Sequence, residues 1–106
     1  MKHRRLGEVG RRGWFIGDYP EAVIPSKHVE ICYVEEGPGP VPPHYHRVCS
    51  EIVVIVSGHV QYQGKVYSDR DILILEPGEV NDMIMLDRCQ IIGVKMPAGG
   101  DDKVYV

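Results

Sequence analysis

Three side chains near the middle of the chain have the types and spacing for metal chemistry. In the stretch PHYHRVCSE, His44 and His46 stand two residues apart and Glu51 follows five positions later. Imidazole nitrogen and carboxylate oxygen together suit divalent ions such as iron, manganese, nickel and zinc. In an extended strand, residues i and i+2 leave the same face, so His44 and His46 point together and Tyr45 points away. Unbroken alternation would send Glu51 to the opposite face. A turn or bulge in the intervening Arg47-Val48-Cys49-Ser50 resets that parity, and Glu51 then opens the next strand facing back toward the histidines. Two imidazoles and one carboxylate would form half or more of a coordination sphere. On its own, a His-x-His pair would fit a solvated strand edge equally well.

Strands are what must position these groups. Periodicity of two dominates, in His28–Glu36, Glu51–Gly58, His59–Gly64, Asp71–Gly78, Asp82–Leu86 and Cys89–Met96, all rich in β-formers. Gly- and Pro-containing turns separate them, as in EEGPGPVPP and EPGE. Gly13–Pro25 supplies a further short strand with Trp14 and Phe15 as packing anchors. No helix is expected. Short, closely spaced strands indicate an all-β antiparallel sandwich or barrel.

With 106 residues, the chain reads as a single domain spanning 1–106, with a basic N-terminal segment at 1–12 and a loop-like C-terminal tail at 97–106. A net charge of −3 argues against a nucleic-acid partner. No apolar run approaches the roughly 20 residues that cross a bilayer, so no membrane association is expected. Cys32, Cys49 and Cys89 are odd in number and lack zinc-knuckle spacing, which suits reduced thiols in the cytoplasm. A chain this small gains buried apolar surface by pairing, so a homodimer is expected. No nucleophile elbow, P-loop or dinucleotide-binding glycine pattern is present.

The segment HYHRVCSEIVVIVSG resembles the first motif of the cupins, His-x-His-x4-Glu-x6-Gly, through His44, His46, Glu51 and Gly58. The second cupin motif falls on RDILILEPGEVNDMIM, where Gly78 is kept. Arg70, Glu76, Asn81 and Met85 stand where that motif has Gly, Pro, His and Asn. The resemblance covers about Val29 to Met96. It implies a jelly-roll β-barrel holding one divalent transition metal ion (Fe, Mn, Ni or Zn) near its open end. His44, His46 and Glu51 become ligands, and Asn81, in the place of the third histidine, either completes the site or orients a bound ligand. Tyr62, inward with Val60, and Ile92 and Val94, on one face of the last long strand, are the candidates to line the pocket.

Three functions remain open at this point. The resemblance implies a metal-dependent enzyme acting on a small organic molecule, by dioxygenase, isomerase or decarboxylase chemistry. A non-catalytic module that binds metal or a small ligand fits the loss of the fourth ligand. A metal-independent sugar epimerase or isomerase would use His46 or Tyr62 as acid or base.

Overall fold

A computed structural model describes residues 1–98, 100 and 102–106 of the chain. Twelve strands account for its regular structure, and there is no helix among the described residues. They are β1 (Trp14–Gly17), β2 (Ile24–Pro25), β3 (Glu30–Glu36), β4 (Gly39–Pro40), β5 (His44–His46) and β6 (Ser50–Ser57). There follow β7 (Val60–Tyr62), β8 (Lys65–Tyr67), β9 (Ile72–Leu75), β10 (Ile84–Met85), β11 (Cys89–Met96) and β12 (Lys103–Tyr105).

One layer is a six-stranded sheet in the order β2-β1-β3-β11-β6-β9, antiparallel except for the short β1–β2 pair. The second layer combines a four-stranded sheet, β4-β10-β7-β8, with the β12–β5 pair. The two parts of this layer are joined: Val41 N–H donates to Met83 O, and His44 and Asn81 exchange backbone hydrogen bonds. The layers stack without closing into a continuous barrel, so the jelly roll is present as a sandwich.

The segment 97–106, expected as loop and tail, instead contributes β12, which pairs Lys103–Tyr105 with His46–His44. Its Lys-Val-Tyr is a short run of β-formers that the preceding Gly-Gly-Asp-Asp obscures. β8, with the same three-residue pattern after Gly64, was likewise too short to stand out. Few residues separate strand from turn in such pieces.

Alternation assigns the faces. Val53 and Ile55 of β6, Met85 of β10 with nearby Met83, Cys89 and Ile91 of β11, Val60 and Leu75 form one buried cluster between the layers. Val34, Tyr62 and Leu73 pack against it. Gly58 makes the tight β6–β7 connection possible: its φ is 106°, and a Cβ there would sit 2.7 Å from Cys89 Sγ.

Candidate metal centre

Each inward stripe ends in a polar residue at the same end of the sandwich. β6 runs Ile55, Val53, Glu51, and β11 runs Ile91, Gly93, Lys95, with Lys95 paired in register with both Glu51 and Glu30. The 81–85 segment runs Met85, Met83, Asn81. Core and site are therefore two ends of the same period-two pattern. His44 and His46 enter from the opposite layer on β5, both buried, while Tyr45 takes the other face. The chain bends at 47–49 before β6 begins, which is the parity reset that brings Glu51 round to the histidines.

The Glu51 carboxylate is the focus. Its Oε2 lies 2.8 Å from His46 Nε2 and 3.6 Å from His44 Nε2. One donor atom from each of the three residues lies within 4.8 Å of the others. Both imidazoles are oriented from behind: His44 Nδ1 is 2.7 Å from the Pro42 carbonyl and His46 Nδ1 is 2.9 Å from Asp102 Oδ1. With a proton on each Nδ1 donated outward, each Nε2 would present a lone pair to the centre. His46 Nε2 is buried and makes no well-aligned hydrogen bond, its close polar neighbour being Glu51 Oε2 at 2.8 Å. A divalent cation fits here: it would satisfy an orphaned buried nitrogen and be met by a second imidazole and a carboxylate.

Asp102 is the functional residue that sequence reasoning missed. It lies in the segment read as a solvated tail, yet it is buried and holds the 47–49 bend together. Besides accepting from His46, it accepts from the backbone N–H of Val48 at 3.2 Å and of Cys49 at 2.9 Å. Burial raises its pKa, but those hydrogen bonds outweigh that and hold it well below the usual carboxylate range. Glu51 behaves alike: burial opposes ionisation, and the close imidazoles of His44 and His46 with the hydrogen bond from Asn81 outweigh it. The Glu51 carboxylate, against the effect of burial and with help from Asp102, raises the His46 pKa. Two ionised carboxylates flanking one imidazole call for positive charge, supplied by a proton or a metal ion.

Asn81 contacts the carboxylate through its amide. Its Nδ2 donates to Glu51 Oε1 at 2.7 Å, while its Oδ1 accepts from the Met83 N–H at 3.1 Å. Flipping the amide would set oxygen against carboxylate and NH2 against N–H, so both contacts fix its orientation. Asn81 therefore holds the carboxylate. Gly78 serves the same end of the sandwich, with a φ of 89° and an N–H that donates to the His46 carbonyl.

Of the other expected pocket residues, Val94 borders the cavity beside the centre, and Ile92 and Tyr62 are not among its lining residues. Ile92 pairs with Tyr33 on the outward face of β11, because Ile91 and Gly93 take the inward positions. Tyr62 packs against the apolar cluster, and its hydroxyl donates to the Val80 carbonyl at 2.8 Å. The cavity beside the centre, about 150 Å³, is bounded by Trp14, Val53, Val94, Lys95 and Lys103 together with His44, Glu51 and Asn81.

Two stacked sheets in this order make a double-stranded β-helix fold of the cupin type. The chain is similar to an RmlC-like cupin from Shewanella frigidimarina NCIMB 400, with 22% identity, 68% of each chain covered and a TM-score of 0.59. An uncharacterized conserved protein with a double-stranded beta-helix domain from Klebsiella pneumoniae matches over 99% of this chain and 84% of its own, at 18% identity and a TM-score of 0.68. DMSP lyase DddQ from Ruegeria pomeroyi DSS-3 matches over 88% of this chain and 49% of its own, at 18% identity and a TM-score of 0.68. No protein-family model and no curated protein matches the sequence.

Proposed function

We propose that this protein is a small cupin that holds one divalent transition metal ion through His44, His46 and Glu51 and acts on a small organic molecule beside it. The observation that supports this most is the pair of imidazoles whose Nδ1 atoms are engaged from behind while both Nε2 atoms face one carboxylate. Iron, manganese, nickel and zinc all suit this donor set. A bound ion of this kind supplies Lewis acidity toward a carbonyl or carboxylate oxygen, or oxygen chemistry in the case of iron. The chain's own residues orient the ligands: Pro42 and Asp102 fix the imidazoles, and Asn81 fixes the carboxylate. DddQ, a lyase by name, is a structural neighbour that supports small-molecule chemistry on this fold.

Adding Mn(II), Ni(II) or Zn(II) to chelator-stripped protein should raise its melting temperature, and Glu51→Gln should abolish the rise. Equal shifts in both proteins would refute the assignment. A non-catalytic binding role is favoured by one observation: the Asn81 amide is engaged by Glu51 and the Met83 N–H. Metal-dependent product formation by the purified protein would exclude it. In the sugar-isomerase reading the acid–base role falls to His46, because the Tyr62 hydroxyl donates to the Val80 carbonyl.

We further propose a cytoplasmic location, in keeping with three free thiols, and a homodimer formed through the outer face of the six-stranded sheet. Ile72 and Ile74 of β9 are each about 60% exposed there, beside Ile52 and Val54. Among the described residues, no helix is long and apolar enough to cross a membrane.

A further inference from the structure

The cavity beside the metal centre adjoins a larger cleft of about 500 Å³, and the two share Trp14, Lys95 and Lys103. Arg11 and Arg12 also line the cleft, with Asp18 and Glu30 as its described carboxylates. Four cationic side chains against two carboxylates leave an excess of two positive charges, in a chain whose net charge is −3. The positive surface is therefore local.

Lys95 is the most constrained of these cations. It closes the inward stripe of β11, and its side chain is only 14% exposed. Its ammonium lies 4.6 Å from the centroid of the Trp14 ring and 3.9 Å from Glu30 Oε2. The Glu30 contact is long for an ion pair, so it leaves the ammonium donors available to a ligand. Lys103, on β12, is exposed and stands at the boundary between cavity and cleft.

We propose that the small molecule acted on at this centre is an organic acid, with a carboxylate held by Lys95 and Lys103 and its apolar part against Trp14. The inference rests on the metal-cupin reading and adds the substrate class to it. Size agrees: at about 30 Å³ per water, a 150 Å³ cavity admits about five water-sized groups, the scale of a short-chain acid. A low-dielectric wall strengthens the attraction between ammonium and carboxylate, which selects an anion over its neutral isostere.

Trp14 is the only tryptophan in the chain, so its fluorescence reports from the wall of this cavity. The test titrates the full chain with malonate, malonamide and inorganic phosphate while following that signal, with metal content measured on the same samples. Malonate should give a saturable change at concentrations at least tenfold below any response to malonamide, and below that of phosphate. Lys95→Met and Lys103→Gln should each weaken the malonate response at least fivefold without changing the metal content. Lys103 is exposed, so its variant keeps the test decisive if Lys95→Met fails to fold. Equal responses to malonate and malonamide, a tighter response to phosphate, or unchanged malonate affinity in folded variants would overturn the proposal. A malonate response that persists in protein shown to bind no metal would support the anion site and count against the metal reading alone.

Discussion

At the scale of single residues, the centre depends on groups that were legible to unequal degrees. His44, His46 and Glu51 could be singled out because the side-chain types and the two-residue spacing are themselves chemical statements. Asp102 could not be, because its role depends on a strand pairing between residues about 56 positions apart in the chain. Its importance is testable. Asp102→Asn removes the carboxylate behind His46 and should lower metal affinity about 10- to 100-fold in a competition titration, with the fold retained. Unchanged affinity would mean that the contact is only structural. Cys32 offers a second check. Burial pushes its thiol up to about 11, while an unfolded thiol titrates near 8.5. The raised value contributes stability that is complete below about pH 8.5 and is lost as pH rises toward 11. Denaturant unfolding of the wild type should therefore weaken more steeply over that range than unfolding of Cys32→Ala. Parallel slopes would contradict the assignment.

At the scale of elements, the long strands declared themselves and the short ones did not. β3, β6 and β11 are seven or eight residues of β-formers, and their observed ends fall within two residues of expectation. β4, β8 and β12 have two or three residues each and depend on partners for their existence. The placement of Ile92 away from the cavity has the same origin. An apolar run on both faces carries no parity signal, and only pairing with Cys32 and Val34 decides which side faces in. The Gly58 turn is the point where element geometry is least tolerant. Gly58→Ala would bring a methyl group against Cys89 Sγ and Cα at a positive φ. It should destabilise the chain by on the order of 2–3 kcal/mol in chemical denaturation. A loss under about 0.5 kcal/mol, the range of ordinary surface substitutions, would show that the turn can relax.

At the scale of the whole molecule, the sandwich separates two surfaces with different chemistry. One end gathers the histidines, the carboxylate and the cationic cleft. The outer face of the six-stranded sheet presents Ile72, Ile74 and Val56, an apolar area of the kind that marks association. Sedimentation should show a dimer for the wild type and a monomer for Ile74→Lys; a monomeric wild type would remove the pairing proposal and leave the centre unaffected. The central claim concerns the cation. Elemental analysis of protein purified without an affinity tag, beside His44→Ala and Glu51→Ala, should find about one equivalent of a divalent transition metal per chain, lost in both variants. Wild-type protein that carries no metal and takes none up on dialysis against iron, manganese, nickel and zinc would contradict it.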